Sequence, residues 1–241
     1  MKSFLAFLVL ASVLFLSQMS NADILAAWDV EGVDLDSEED TGIDDTPADE
    51  DYTYTAGTMA TNIADAKLTL GNVNRSTTQD QYGFKISSDD ETTSLSDAID
   101  ANHYFQFNIE VDDGYLLDLN EVGILGESTG TGADDIALLA KVKGFDESSE
   151  LYTASEVSGT DWDFTKDLSV DNDFQNQRET ISFRLYGWDT SSGHGVTRIY
   201  NDDDVNDLQI KGTVTAVPEP GSLFLVLIGG VFLLTRRRST V

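Results

Sequence analysis

The run YFQFNIEV, residues 104–111, decides the fold. Phe105, Phe107, Ile109 and Val111 alternate with Gln106, Asn108 and Glu110. A period of two with aromatic and β-branched residues on one side is the pattern of a half-buried strand. The same alternation returns three times. Ile181, Phe183 and Leu185 alternate with Ser182, Arg184 and Tyr186, and Leu208, Ile210, Gly212 and Val214 with Gln209, Lys211 and Thr213. Ile24, Ala26, Trp28 and Val30 alternate with Leu25, Ala27, Asp29 and Glu31, which predicts a half-polar first strand. A strand with one apolar face needs a second apolar layer to cover it.

Further strands are predicted at 67–70, 81–86, 115–125, 136–142 and 151–154. Within 115–125 the apolar face passes from Leu117 and Leu119 to Val122 and Ile124, a slip of one residue. That slip predicts a bulge or break near Asn120-Glu121. Only SLSDAIDA, residues 94–101, has helical spacing, with Leu95, Ala98 and Ile99 on one face and Ser94 or Ser96 as its cap. Many strands, turn-rich gaps and almost no helix predict an all-β antiparallel sandwich of jelly-roll type.

The two ends are not part of that pattern. Lys2 precedes an apolar run from Phe4 to Leu16, and Ser20 and Ala22 occupy the −3 and −1 positions of a cut before Asp23. Residues 1–22 are therefore expected to be a secretory signal peptide. At the other end, Leu223–Leu234 is apolar apart from Gly229 and Gly230, and Arg236, Arg237 and Arg238 follow. Stretched to Gly221 and Thr235 the segment would make roughly 22 Å of helix against a hydrocarbon core of about 30 Å, a marginal anchor. The arginines stop transfer and hold that end in the cytoplasm. The prolines before the span keep Val217-Pro218-Glu219-Pro220 extended and open to a processing enzyme.

Between these ends, residues 23–216 carry ten basic and 43 acidic side chains, about −33 in all. The stretch 34–51 is more than half acidic and holds Pro47, which predicts a solvated, self-repelling loop. Such a field opposes nucleic acid and anionic lipid headgroups and suits divalent cations and neutral partners such as sugars. The chain has no cysteine, which excludes cysteine nucleophiles, thiolate zinc and iron–sulfur sites, and its central part is long enough for one core without disulfides.

Val217-Pro218-Glu219-Pro220, the short apolar span and the terminal arginine cluster together resemble the PEP-CTERM sorting signal of Gram-negative bacteria. The resemblance implies a substrate of an exosortase, a membrane processing enzyme that recognises and cuts such tails. It also implies a link to exopolysaccharide and to surface or matrix display. The chain is then exported, held transiently in the inner membrane by residues 217–241, and released to the cell surface or extracellular matrix. The pieces 98–119, 181–189 and 207–214 also resemble a domain often joined to this tail, which implies a β-sandwich and no assigned activity.

The chemistry of sites is sparser. Calcium wants six to eight oxygen ligands. Asp36, Glu38 and Asp40 fail as an EF-hand because Gly42 comes one place late. If first and last strands are neighbours, Asp29 and Glu31 approach Asp202 and Asp207, a candidate calcium site. Arg184, Tyr186 and Trp188 share one strand face and form the candidate carbohydrate-binding row, since flat aromatic rings stack on sugars. Their rings are open to a sugar only if nothing packs on that face. Glycoside hydrolysis needs two carboxylates at a set spacing, and no pair stands out among so many. Ser191, Ser192 and His194 lie in one glycine-rich loop, too loose for a nucleophile and its base. His103 opens a strand, and Asn74-Arg75-Ser76 fits a glycosylation acceptor. The expected product is a non-enzymatic structural or carbohydrate-binding module. The alternative is a glycoside hydrolase or another enzyme acting on extracellular polysaccharide.

Overall fold

The computed structural model of the protein describes residues 22–29, 53–71, 74–75, 82–85, 92–141, 145–190, 196–199 and 206–217. Residues 1–21 of the expected signal segment, the acidic loop 34–51, Glu31, Asp202, His194 and the tail beyond Val217 lie outside them.

The strands follow in chain order as β1 (Asp23–Trp28), β2 (Thr53–Thr55), β3 (Thr58–Met59), β4 (Ile63–Leu70), β5 (Asn74–Arg75) and β6 (Tyr82–Lys85). One helix, α1 (Leu95–Ala101), precedes β7 (Tyr104–Val111), β8 (Tyr115–Ser128), β9 (Ala133–Lys141), β10 (Glu150–Ala154) and β11 (Thr160–Asp167). β12 (Ile181–Thr190), β13 (Thr197–Ile199) and β14 (Leu208–Ala216) complete the series, with single 3-10 turns at Glu147–Ser149 and Asn172–Phe174. Among the described residues these strands form two antiparallel sheets, and the all-β expectation holds.

The six-stranded sheet runs β10-β9-β12-β7-β4-β2. In the other, of eight strands, β3-β1-β14 leads to β8, which continues through β13 to β6 and β5. The registers put β14 and β13 along one side of β8 in succession and β11 along the other. The turn Asp112–Gly114 carries the chain from the first sheet to the second. Tyr115 N–H donates to Asp112 O at 3.1 Å, and Gly114 takes φ +87°, which a side chain would resist.

The alternation in β7 and β12 does what the sequence asks of it. Phe105, Phe107, Ile109, Phe183 and Leu185 are fully buried, with Phe107 opposite Phe183 in the ladder. Their rings stack at 4.9 Å, and Phe174 adds a third ring 6.0 Å from Phe183. Trp28, from the opposite sheet, meets Phe107 edge-on at 6.3 Å, so the two apolar faces interdigitate. At the margin, Tyr152 of β10 stacks on Phe164 of β11 at 4.5 Å and closes the gap between the sheets.

The predicted slip in β8 is a bulge. In the β14–β8 ladder Lys211 faces Glu121 and the next residue, Gly212, faces Leu119, so Asn120 is the extra residue. Its carbonyl is used all the same, accepting from Leu168 N–H at 2.8 Å. β1 departs from expectation. Leu25 to Trp28 are all buried, while Ile24 is 37% exposed. A register shift between Ile24 and Ala26 resets the face, and Leu25 joins Ala26 and Trp28 in the core. β1 pairs with β3 on one side and β14 on the other.

Candidate functional site

β12 presents its alternate residues to two environments. Phe183 and Leu185 enter the core between the sheets; Arg184 and Tyr186 stand on the outer face of the six-stranded sheet. There Tyr186 and Trp188 are 0% and 7% exposed. They form a second apolar cluster with Ala98, Ala137 and Leu139, against which Leu95, Ile99, Tyr104 and Phe145 also pack. The candidate row is thus gathered on one face as expected. The open condition is decided against a stacking platform, because α1 lies over the two rings.

The helix is built for that position. Ser94 caps it, accepting from Asp97 N–H at 3.2 Å and donating to the Asp97 carboxylate at 2.7 Å. The Ser94 hydroxyl is the main reason that the Asp97 carboxyl sits below its ordinary range. Asn102 ends the helix in the left-handed conformation at φ 60°, and His103 N–H returns to Ala98 O at 3.0 Å.

Arg184 is the polar centre of this face. Its Nε–H donates to Gln106 Oε1 at 2.8 Å and its Nη1–H to the Tyr186 hydroxyl at 3.3 Å. The guanidinium lies 3.8 Å from the Tyr104 ring centroid and 4.0 Å from that of Phe145, held by two rings. Burial pushes the Tyr186 phenol above its ordinary value, and the hydrogen bond from Arg184 pulls it back.

Around Arg184 the ladder lines up two polar rows across four strands. One runs Lys67, Asn108, Ser182 and pairs on to the Lys141 backbone; its neighbour runs Thr69, Gln106, Arg184 and ends on Leu139 of the apolar cluster. Asn108 Oδ1 is buried without a hydrogen-bond partner. The sequence contains the residues of these rows, but the pairing that aligns them is a product of long-range register.

The calcium candidates are only partly within view. Trp28 pairs with Leu208, and Asp207 N–H donates to Trp28 O at 3.0 Å, so the backbones of Asp29 and Asp207 leave the β1–β14 pair at the same end. Asp29 is exposed and Asp207 is 2% exposed. Glu31 and Asp202 lie outside the described residues, and among those described no three acidic or histidine side chains converge on a metal-sized space.

A shallow pocket of about 270 Å³ was not foreseen. Ser148, Ser149, Glu150, Asp171 and Asp173 line it above Phe174. Two separate 3-10 turns bring these residues together, so no local motif announces it. Its wall is rich in acceptors, with Asp171 capping the second turn by accepting from Asp173 N–H at 3.0 Å. His103, 2% exposed, is a core residue at the helix–strand junction.

No protein-family model matches the chain, and no curated protein matches it. Among the described residues no helix is long and apolar enough to cross a membrane.

Proposed function

We propose that the chain is an exported protein of PEP-CTERM type, handed to an exosortase and displayed at the cell surface or in the extracellular matrix. The order of the tail carries this reading: Val217-Pro218-Glu219-Pro220, an apolar span too short for a comfortable anchor, then Arg236, Arg237 and Arg238. The limits of the sandwich support it. β1 begins at Asp23, the first residue after the expected signal cut, and β14 stops at Ala216. The last backbone bond described, Val217 N–H to Gly114 O at 2.8 Å, falls just before Pro218. A cut within 217–220 would leave every described strand intact.

The displayed domain is a jelly-roll-like sandwich that acts by binding, with an extracellular polysaccharide as its partner. The polar rows around Arg184 support binding, since they offer amide, hydroxyl and guanidinium groups side by side on a sheet face. Among the described residues Asp97 and Asp167 are carboxyls held below their ordinary value, both by serine hydroxyls. The departure of Asp29 and Asp207 from the same end of the β1–β14 pair supports calcium as a stabilising ion, with Glu31 and Asp202 as further ligands.

The test of sorting is the intact mass of the protein recovered from the surface of its native host. A mass ending near Val217–Pro220 supports the reading; a mass that retains the apolar run and the arginines overturns it. Incubation of the same protein with extracellular polysaccharide separates binding from hydrolysis, because only an enzyme shortens the polymer.

A further inference from the structure

The two rows on the outer face of the six-stranded sheet invert the character of the chain. The whole sequence carries 44 acidic residues and 14 basic ones, yet the described side chains of these rows include Lys67 and Arg184 and no carboxylate. Mean charge argues against anionic partners, but the charge a ligand meets at contact is local. At physiological salt, exposed charges more than about 8 Å away are largely screened.

Two polar groups in these rows have no partner among the described residues. Asn108 Oδ1 makes no hydrogen bond. Arg184 commits Nε and Nη1 to Gln106 and Tyr186, and its Nη2 donates to no described residue. Stacking on Tyr104 and Phe145 fixes the plane of the guanidinium, so little side-chain freedom is left to lose on binding.

We propose that this face binds an acidic polysaccharide through a carboxylate on one of its sugar rings. The carboxylate is received by Arg184, with Lys67 two strands away adding positive charge to the face, and ring hydroxyls are received by Ser182 and by the Asn108 carboxamide, which turns outward to meet them. Lys67 is half-exposed and bridged to Asp65 at 2.7 Å. Asp65 and Glu110 face each other in the next row and repel a second nearby anion. The favoured polymer therefore carries its carboxylates on alternate sugars, not on every one. This rests on the carbohydrate-binding reading above.

The test is calorimetric titration of the full-length protein, in EDTA at physiological salt, with a hyaluronan hexasaccharide, which bears a carboxylate on every second sugar. Its methyl ester and a dextran oligosaccharide serve as uncharged controls. The acid form binds, and the ester binds at least tenfold more weakly. Asn108→Asp keeps the side chain's size and adds a carboxylate to the rows; it weakens binding at least tenfold when titrated below its own unfolding transition, where the variant is folded. Lys67→Gln weakens binding in the same direction. Equal binding of acid and ester, or an affinity unmoved by both variants, overturns the site. Binding of dextran without hyaluronan also overturns the acidic site but leaves a carbohydrate-binding protein. Binding of none of the three glycans removes both.

Discussion

The indole of Trp162 lies directly on Gly126: a Cβ added to that glycine would fall 2.2 Å from the ring and 2.5 Å from the Arg198 carbonyl. The two residues face each other in the β11–β8 ladder, and the contact lets an edge strand send its largest side chain into the core. Gly123, on the same strand, has only ordinary contacts at 3.5 Å and beyond. Gly126→Ala should therefore cost about 1–3 kcal/mol by overpacking, while Gly123→Ala stays within about 0.5 kcal/mol. Urea unfolding of the two variants checks this, and equal losses would contradict the packing described.

Phe183 sits between Phe107 and Phe174 with no exposure. Its replacement by alanine removes a ring that both neighbours stack against. The expected loss is about 3–5 kcal/mol. A thermal transition lowered by less than that of a surface control would count against this ring as the centre of the core.

Arg184→Leu should lower stability by about 1–3 kcal/mol despite leaving an aliphatic side chain in place, because the stacking and two hydrogen bonds go together. Arg184→Lys keeps the charge yet should recover little, since an ammonium cannot lie flat between two rings. Full recovery in the lysine variant would show that charge alone matters at this position.

Acid and alkali act on different groups. Asp97 and Asp167 are held below the ordinary 3.8 by Ser94 and Ser169. The stability they lend is present above that value and fades as the pH falls through their lowered folded-state values. Tyr186 is raised above 10.0 by burial, so its part is full below pH 10.0 and fades as the pH climbs toward the raised value. Carboxyl titration by NMR should show Asp97 returning toward 3.8 in Ser94→Ala; an unchanged midpoint would remove the hydroxyl as the cause.

What the sequence showed, it showed through periodicity. The Phe105–Val111 alternation placed β7, and the slip between Leu119 and Val122 put a bulge or break near Asn120-Glu121, where the structure has it at Asn120. Both are local patterns, and both survive folding because the buried face admits no other register. Ile24 was misplaced because a bulge beside it leaves no mark in a six-residue strand. Tyr186 and Trp188 show the wider limit. Period two tells which residues share a face, but what covers that face is decided elsewhere, here by a helix about ninety residues earlier in the chain. The row around Arg184 likewise depends on the pairing of β4, β7, β12 and β9, which no single window contains.

The pairing of β1 with β14 has a topological consequence. Asp23 stands opposite Gly212, so the first strand starts and the last strand stops at the same end of the sheet, offset by only four residues. At the usual strand rise that offset is roughly 13 Å. Anything tethered at Asp23 and anything tethered at Ala216 would therefore leave the domain from one side and close together.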